Sequence, residues 1–371
     1  MVALYIHIPF CQKACPYCAF YKIEWDARQA DRFVTALENE MRFYYDRFGK
    51  MDVTSVFLGG GTPSRLEPRH IQKLGVLIRQ YFDLSPDCEL TAEMNPESVD
   101  EDRLDAFTAW GVNRASLGVQ SFLQAELDRL GRSHKVLELD PVMDAIRQAG
   151  IPNINLDLMF GLPDSSIDSV ARSVRTALSY EPTHLSTYSL IIEPGTPFHH
   201  QKIQKPTSDA EHAQYVLIRE RTQAAGLTQY EVSCFAKPGY ECRHNMAYWT
   251  FEPYIGLGPG AHSFFEGYRY QNRDDLAHYI QNPIPVPFRG SGYAPVDAQD
   301  LEREFLIFGL RLRGGFAIRD FDGRFNTAFL DKYAKPLTPL LADGFLQVDN
   351  GRIWATDKGL DLLDSVLTRL I

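Results

Sequence analysis

Short apolar runs alternate with amphipathic helical patterns through the first two-thirds of this 371-residue chain. Such alternation predicts parallel strands joined by helical crossovers, because parallel neighbours cannot be connected by a tight hairpin. The apolar runs cover 4–8, 55–58, 89–93, 114–119, 153–159 and 184–190, and the helical patterns cover 27–45, 68–81, 136–149 and 166–179. Six strands of this kind fit an open or partial α/β barrel better than a short doubly wound sheet.

The rest of the chain divides into a connecting segment and a tail of different character. A Pro-, Gly- and His-rich loop at 193–206 precedes a helical pattern at 209–224 and a strand pattern at 229–234. In the tail, a helix at 301–310 and a hairpin turning at Asn350-Gly351 predict a small winged-helix-like α+β domain. We therefore expect a barrel over 1–235, an extension over 236–296 and a C-terminal domain over 297–371.

The composition is that of an ordinary globular protein, with 44% hydrophobic and 23% charged residues. The net charge of −10 provides no basic surface for a nucleic-acid backbone, so we expect no nucleic-acid partner. No apolar stretch reaches the length of a membrane span, and no basic segment with an apolar core opens the chain. These features predict a cytoplasmic protein, where reduced thiols suit metal chemistry.

Three closely spaced cysteines, Cys11, Cys15 and Cys18, directly follow the first predicted strand. Three thiolates on one loop can hold three irons of a cubane iron–sulfur cluster and leave the fourth iron open to a ligand that is not protein. Four-thiolate sites saturate a cluster for electron transfer, so the missing fourth cysteine points to a reactive iron. The spacing therefore predicts a 4Fe-4S site on this loop.

A zinc site and a disulfide framework are the alternatives for these cysteines. Structural zinc takes four ligands, but only Cys15 and Cys18 have the spacing of a ligand pair, and the nearest histidine, His7, lies in the predicted strand. Six cysteines in a chain of this length are too few for a disulfide framework. Both alternatives fit the pattern less well than the cluster does.

A glycine run, Gly59-Gly60-Gly61-Thr62, ends the second predicted strand. Glycines there let the backbone approach a ligand closely and expose its N–H and C=O groups. The run lacks the lysine ending of a phosphate loop and the spacing of a dinucleotide fingerprint. By itself it indicates no more than a tight turn, but beside a cluster loop it predicts a site for an amino-acid-like ligand.

Together these features resemble the radical S-adenosylmethionine superfamily and, within it, the coproporphyrinogen-dehydrogenase/HemW family. In that superfamily the amino and carboxylate groups of S-adenosylmethionine chelate the open iron, and reduction cleaves the sulfonium to a 5′-deoxyadenosyl radical. The segments that carry the narrower resemblance run in order along the barrel portion: 5–10, 59–63, 93–96, 116–122, 130–132 and 155–163. The resemblance implies the partial (β/α)6 radical-SAM barrel expected from the strand pattern.

Carried over residue by residue, the resemblance also implies an S-adenosylmethionine site. Its lining would consist of Tyr5, Gly60, Gly61, Thr62, Glu93, Gln120, Arg132 and Asp157. Glu93 can accept from an ammonium group or ribose hydroxyls, and Arg132 can pair with a carboxylate. Gln120 and Asp157 suit a ribose, and Tyr17 can cover the adenine. Any of these residues taken alone is equally well explained as a solvated or capping side chain.

Two features favour the HemW branch, whose members resemble the oxidase but serve as haem chaperones. The oxidase branch typically carries a further cysteine two positions after the third, where this chain has Phe20. The His-Asn-x-x-Tyr-Trp segment beginning at His244 resembles the signature that this branch ties to haem binding. Imidazole is a common axial ligand of haem iron, and Tyr248 and Trp249 offer flat apolar surface for a macrocycle.

Other haem ligands remain open, and His244 can instead be a hydrogen-bonded core residue. The alternatives are His199, His200, Cys234 and Cys242, whereas Cys88 is expected to be buried and inert. The loop from Tyr254 to Ser263, which contains His262, can equally shape a substrate pocket.

The resemblance implies two functions of different classes. The first is a haem chaperone that binds the cluster, S-adenosylmethionine and haem and passes haem to apo-haemoproteins, including acceptors at a membrane surface. The second is an oxygen-independent coproporphyrinogen III oxidase, and a third option is a radical enzyme acting on another tetrapyrrole. A cluster-dependent homodimer is also compatible with the resemblance. Phe20 and the segment at His244 favour the chaperone without coproporphyrinogen oxidase activity.

Overall fold

The computed structural model describes residues 1–288 and 294–371, within which an 11-stranded sheet organises the larger part of the chain. The strands are β1 Val2–Ile8, β2 Phe10–Cys11, β3 Ile23–Glu24, β4 Met51–Gly60, β5 Phe82–Met94, β6 Arg114–Gln120, β7 Asn153–Phe160, β8 His184–Ser189, β9 Thr228–Glu231, β10 Cys234–Ala236, β11 Tyr254–Leu257, β12 His262–Phe265, β13 Tyr268–Gln271, β14 Phe316–Ala317, β15 Leu346–Asp349 and β16 Arg352–Ala355. The helices are α1 Ala27–Phe48, α2 Pro68–Tyr81, α3 Glu101–Ala109, α4 Gln124–Arg129, α5 Leu139–Gln148, α6 Ile167–Ser179, α7 Pro197–His200, α8 Ser208–Ala224, α9 Arg243–Trp249, α10 Leu276–Gln281, α11 Ala298–Arg311, α12 Ile318–Phe325, α13 Phe329–Lys332, α14 Ala334–Ala342, α15 Asp357–Asp361 and α16 Leu363–Leu370.

The centre of the large sheet is a run of parallel strands in chain order, β1, β4, β5, β6, β7 and β8. At least one helix lies between each of these strands and the next. This arrangement confirms the predicted α/β fold built on parallel strands with helical crossovers. Because all six strands point the same way, their carboxyl ends form one rim, and ligands of such folds gather at that rim.

The longest described helix, α1, shows how the sequence pattern builds the layer that packs on the sheet. The side chain of Asp26 accepts a hydrogen bond from the Gln29 amide at 2.8 Å, which caps the first turn. Phe33, Leu37 and Tyr44 on one face of the helix are buried in the core. No helix within the described ranges, α1 included, combines the length and apolar character that a membrane-spanning segment needs.

The strand predicted over 229–234 is wrong as a single element. The chain forms two short strands there, β9 and β10, which pair antiparallel with each other. The amide of Ser233 donates to the Glu231 carboxylate at 3.0 Å within the turn, and the Ser233 carbonyl accepts from the Thr187 amide at 2.8 Å. These bonds reverse the chain, and β10 then pairs antiparallel with β8 at this edge of the sheet.

The segment expected as an extension, 236–296, contributes strands to the large sheet. Strand β11 lies parallel to β1 on the side away from β4, and β12 and β13 continue the sheet antiparallel. Buried Glu40 of α1 accepts hydrogen bonds from the Gly258 amide at 2.9 Å, the Asn272 amide group at 2.7 Å and the Tyr279 hydroxyl at 2.5 Å. A buried carboxylate satisfied in this way ties the segment to the barrel helix.

The C-terminal part forms a small α+β unit with its own apolar core. Its three-stranded sheet has the order β14-β16-β15, and Phe305, Phe321 and Phe329 belong to the core beside it. The hairpin β15–β16 turns at Asn350 and Gly351, whose φ angles of 48° and 74° are those that Asn-Gly favours in two-residue hairpins. The predicted small C-terminal domain is confirmed.

Candidate functional site

The three-cysteine loop begins where β1 ends, at the rim formed by the carboxyl ends of the parallel strands. Cys11 lies in β2, and β2 pairs with β3, so the two ends of the loop are tied together. Cys15 and Cys18 lie on a turn in which the Cys18 amide donates to the Cys15 carbonyl oxygen at 3.2 Å. All three thiols are free and half-buried. The loop thus keeps its three sulfur atoms partly accessible at the rim.

Two polar side chains donate hydrogen bonds to sulfur atoms of the loop. The Thr62 hydroxyl lies 3.7 Å from Cys11 Sγ, and Arg132 Nη1 lies 3.7 Å from Cys15 Sγ. Burial raises the pKa of Cys11 to about 11, and the hydrogen bond from Thr62 opposes that shift. Donors to sulfur stabilise thiolates and set the properties of bound clusters.

A single metal ion and an iron–sulfur cluster require different arrangements of ligands. Among the described residues, no three His, Cys, Asp or Glu side chains are grouped so as to hold a single metal ion. A cubane cluster with one open iron instead requires one thiolate at each of its other three irons. Three half-buried thiols on one loop, two of them receiving hydrogen bonds, fit that donor set.

Asn95, which was not predicted as a site residue, joins the cluster loop to the strand ends. Its amide nitrogen donates to Thr62 Oγ1 at 2.9 Å, and its amide oxygen accepts from Arg132 Nη2 at 2.6 Å. Arg132 Nη2 also donates to the Gly118 carbonyl oxygen at 2.7 Å. The position of Asn95 just after β5, within the segment 93–96, could have indicated a site residue, because the ends of the parallel strands share one rim. Arg132 is thus already engaged with the loop and the rim.

The glycine run allows close packing against neighbouring strands, a role that was not predicted from the sequence. The expectation that its amides are exposed to a ligand is wrong. The Gly60 amide donates to Glu93 at 3.0 Å, and the Gly61 and Thr62 amides donate to carbonyl oxygens of Ile8 and Phe10, both at 2.8 Å. Gly60 has a φ of 108°, and a Cβ there would lie 2.5 Å from the His7 ring. The run therefore packs the end of β4 against β1 and the start of the cluster loop.

Two carboxyl groups, Glu93 and Asp157, lie near the ends of β5 and β7. Burial, together with the charge of Asp157, raises the pKa of Glu93 to about 8. Burial also raises the pKa of Asp157, although Asn155 donates to it at 2.7 Å and Ser116 at 3.2 Å. Ionisation of both carboxyl groups is therefore unfavourable unless a positively charged ligand is bound. Such a site is suited to an ammonium or sulfonium group.

The remaining predicted lining residues stand at the same rim or in the loop. Tyr5 lies on β1, and burial, together with the charge of Glu93, raises the pKa of its hydroxyl. Its ring and the Glu93 carboxyl both approach Gly59, at 3.0 and 3.1 Å from where a Cβ would stand. Gln120 has a positive φ of 68° at a bulge in β6, a backbone state often found at functional sites. Tyr17 packs beside Phe198, with ring centroids 6.2 Å apart. Contact of these residues with S-adenosylmethionine stays a prediction.

His244 lies in α9 and is buried. Its Nδ1 is hydrogen-bonded to the Ser55 hydroxyl at 3.0 Å and its Nε2 to the Tyr248 hydroxyl at 2.8 Å. The ring stacks on Phe57 at 5.2 Å, and burial lowers the pKa of His244 to about 3. Both ring nitrogens are thus occupied in this structure, and Glu89 accepts from the His244 amide at 3.2 Å.

The alternative haem ligands are spread over the molecule. His199 and His200 are exposed on α7. Cys234 and Cys242 are buried, and burial raises the pKa of Cys242 to about 12. Cys88 is buried as expected, with its pKa raised to about 12 for the same reason. Thiols of this kind are poor ligands because the thiolate form is suppressed.

A cavity of about 440 Å³ lies beside the cluster loop, between the barrel and the C-terminal unit. Below it is called the aromatic cavity, and its main walls are Tyr5, Phe20, Tyr248, Trp249, His262 and Phe308. Phe20 follows the last cluster cysteine by two positions, and 69% of its surface is exposed. Trp249 and Phe308 pack together with ring centroids 5.9 Å apart. The His-Asn-x-x-Tyr-Trp segment therefore meets this cavity through Tyr248 and Trp249.

Comparison with known proteins gives consistent matches along the chain. Residues 5–177 match the radical SAM superfamily, and residues 296–362 match the HemN C-terminal domain. A Bacillus subtilis protein named heme chaperone HemW is 34% identical over 97% of this chain and 96% of its own length. An Escherichia coli protein of the same name is 40% identical over 70% of this chain and 69% of its own. A solved structure described as coproporphyrinogen III oxidase (HemN) from Escherichia coli, a radical SAM enzyme, superimposes with a TM-score of 0.86 at 26% identity, covering 100% of this chain and 89% of that one.

Proposed function

This chain belongs to the HemW family of the radical SAM superfamily, and from this we propose that it is a haem chaperone. In this proposal it binds a 4Fe-4S cluster, S-adenosylmethionine and haem, and it delivers haem to apo-haemoproteins. The observation that carries the proposal is the similarity, along almost the whole chain, to proteins named heme chaperone. Superfamily membership itself implies the cluster and S-adenosylmethionine. Haem and apo-haemoproteins are the partners that the relatives' name suggests.

The cluster would be held by Cys11, Cys15 and Cys18. When bound, it supplies an iron with an open coordination position and an electron for the sulfonium ligand. The contribution of the chain's own residues is to position and tune these thiolates. Arg132 and Thr62 do so by donating to two of the sulfur atoms.

S-adenosylmethionine would lie along the rim next to the loop. Glu93 and Asp157 would face its positive groups, because two carboxyl groups with raised pKa values gain most from a cationic ligand. With a pKa of about 8, Glu93 holds a proton at neutral pH and would release it when such a ligand binds. Gln120 and Tyr17 would contact the ribose and the adenine, as the sequence resemblance implies. Gly60, Gly61 and Thr62 would complete the floor beside Tyr5.

Haem would be taken up beside the same loop, where the aromatic cavity offers flat apolar walls. Ligation of haem iron by His244, predicted from the sequence, would require breaking its bonds to Ser55 and Tyr248. His244 supports the cavity in any case, since it holds the Tyr248 hydroxyl at 2.8 Å. Transfer to acceptors at a membrane surface and a cluster-dependent homodimer belong to the same proposal.

Coproporphyrinogen III oxidation is the second candidate, and one observation favours it. The described oxidase structure covers this chain entirely with a TM-score of 0.86. Against it stands Phe20, which occupies the position of the further cysteine of the oxidase branch.

The two candidates are separated by one anaerobic incubation. The cluster-loaded protein is mixed with coproporphyrinogen III, a reductant and S-adenosylmethionine, and the products are resolved by chromatography. The chaperone proposal predicts no vinyl-bearing product, and it predicts that the same preparation, loaded with haem, transfers haem to an apo-haemoprotein. Formation of a vinyl-bearing product in repeated turnovers would replace the chaperone by the oxidase.

A further inference from the structure

The aromatic cavity contains a histidine whose ring is free to bind a metal. His262 starts β12 on the cavity wall and is exposed. Among the described residues, no group is hydrogen-bonded to either of its ring nitrogens, and the charges of Asp274 and Arg269 lie near enough to affect it. An imidazole with an unoccupied ring nitrogen is the form that ligates iron.

The other histidines near the cavity are already engaged. His7 also lines the cavity, but its Nδ1 is bonded to the Tyr5 hydroxyl at 3.1 Å and its Nε2 to the Tyr21 carbonyl oxygen at 2.9 Å. Both ring nitrogens of His244 are also hydrogen-bonded, one to Ser55 and one to Tyr248. Within the part of the chain that the structure describes, His262 is therefore the imidazole of this wall that can bind an iron without losing a hydrogen bond.

The rest of the cavity suits a large flat apolar molecule. Tyr248, Trp249 and Phe308 form a continuous aromatic wall, with Tyr248 also packed edge-on against Tyr254 at 4.6 Å between centroids. Phe20, exposed beside the cluster loop, also lines the cavity. A volume of about 440 Å³ lies in the range of roughly 300–1,000 Å³ that holds small-molecule ligands. The cavity opens to solvent, so charged groups on one edge of a ligand can stay hydrated.

We propose that the aromatic cavity is the haem site and that His262 is its axial iron ligand. The assignment rests on the proposed chaperone function, and it adds the iron ligand to that function. The macrocycle would stack on the Tyr248–Trp249 wall and contact Phe20, with its propionates at the open edge. The His-Asn-x-x-Tyr-Trp segment then acts by presenting Tyr248 and Trp249, and His244 is a positioning residue behind Tyr248.

The test is a titration of the full chain with ferric haem, followed by its Soret absorbance. We expect His262→Ala to raise the dissociation constant about tenfold or more and to remove the spectral signature of imidazole ligation. His212→Ala, which changes an exposed histidine on α8, should leave both unchanged. Iron-free protoporphyrin IX is the matched probe, and its affinity should be similar for wild type and His262→Ala because no iron is ligated.

Rescue separates ligation from a merely structural effect. Added imidazole should restore the wild-type spectrum of His262→Gly, where it replaces the missing side chain. His244→Gly, which keeps His262, should show imidazole ligation without added imidazole. If wild type binds haem and His262→Ala binds it with unchanged affinity and spectrum, the assignment of His262 is overturned while the chaperone proposal stands. If wild type binds no haem at all, both are overturned.

Discussion

At the residue scale, the candidate site depends on a few side chains that connect the cluster loop to the barrel rim. Arg132 contacts Cys15, Asn95 and the Gly118 carbonyl with one guanidinium group. A planar fork with several fixed donors can make three such contacts, and a lysine ammonium cannot reproduce that geometry. Asn95 extends the connection to Thr62 and so to Cys11.

Replacing Arg132 by lysine should weaken cluster retention while keeping the charge. We expect the brown absorbance of the loaded Arg132→Lys protein to be lost in air about tenfold faster than that of wild type, because polar contacts around metal ligands commonly contribute such factors. Arg129→Lys, on an exposed residue of α4, is the matched control. Equal rates of absorbance loss in all three proteins would show that Arg132 does not stabilise the cluster on the loop.

Glu93 gives a pH dependence whose direction follows from its pKa. The carboxyl has a pKa of about 8 in the folded protein and an ordinary value of 4.5. Between these values the folded state binds more protons than the unfolded state, so the free energy of unfolding falls as pH rises through this window. Glutamine does not titrate, so the free energy of unfolding of Glu93→Gln does not fall in this way. Between about pH 5 and pH 8 the variant should therefore gain stability relative to wild type, on the order of a few kcal/mol.

The measurement is urea denaturation of the cluster-free, ligand-free proteins at several pH values. Glu24→Gln, at an exposed carboxyl, serves as the control and should track wild type. A constant difference between Glu93→Gln and wild type over this range would mean that Glu93 is not held protonated by its surroundings.

At the element scale, the order of strands and helices could be predicted from the sequence, but the details of their contacts could not. The apolar runs located all six parallel strands, because buried parallel strands are continuous apolar segments. The strand predicted at 229–234 was wrong because only a turn held by the Glu231 carboxylate, a tertiary feature, reverses the chain there. The role of the glycine run was missed for the same reason, since its neighbours come from β1 and the start of the cluster loop.

Gly60 is the place where this docking of elements can be tested. Alanine there would need a φ of 108° and would meet the His7 ring at 2.5 Å, a ring held on both sides by hydrogen bonds. Gly150→Ala is the matched control, because Gly150 also has a positive φ, 82°, but has open space around it. We expect a loss of about 1–2 kcal/mol for the control and of at least about 2 kcal/mol more for Gly60→Ala.

Denaturation midpoints of the two variants measure this difference directly. Equal losses would show that backbone strain alone accounts for Gly60 and that its packing on His7 contributes nothing.

At the scale of the whole molecule, the C-terminal unit is joined to the edge of the large sheet by charged and aromatic contacts. Arg269 of β13 donates to Glu304 of α11 at 2.6 Å and to the Tyr254 hydroxyl at 2.9 Å, and its guanidinium lies 4.7 Å from the centre of the Phe264 ring. Arg311 lies over the Trp249 ring at 4.5 Å. The existence of the small domain could be predicted from composition and pattern, but this interface could not, because its partners are distant in sequence.

Arg269→Ala should therefore destabilise the protein by about 2–3 kcal/mol, since it leaves the half-buried Glu304 without its partner. Arg303→Ala removes an arginine from an exposed pair on the same helix, α11, and should cost less than about 0.5 kcal/mol. Urea denaturation followed by tryptophan fluorescence reports both. Similar small effects would indicate that the interface is held by aromatic packing alone.

The most direct test of the account is the iron and sulfide content of the protein after anaerobic reconstitution. The three-cysteine loop predicts a brown protein with about four iron and four sulfide atoms per chain, and loss of both in the variant that replaces Cys11, Cys15 and Cys18 by alanine. A colourless wild-type protein after repletion, or a triple variant that keeps the same content, would contradict the claim that this loop holds the cluster.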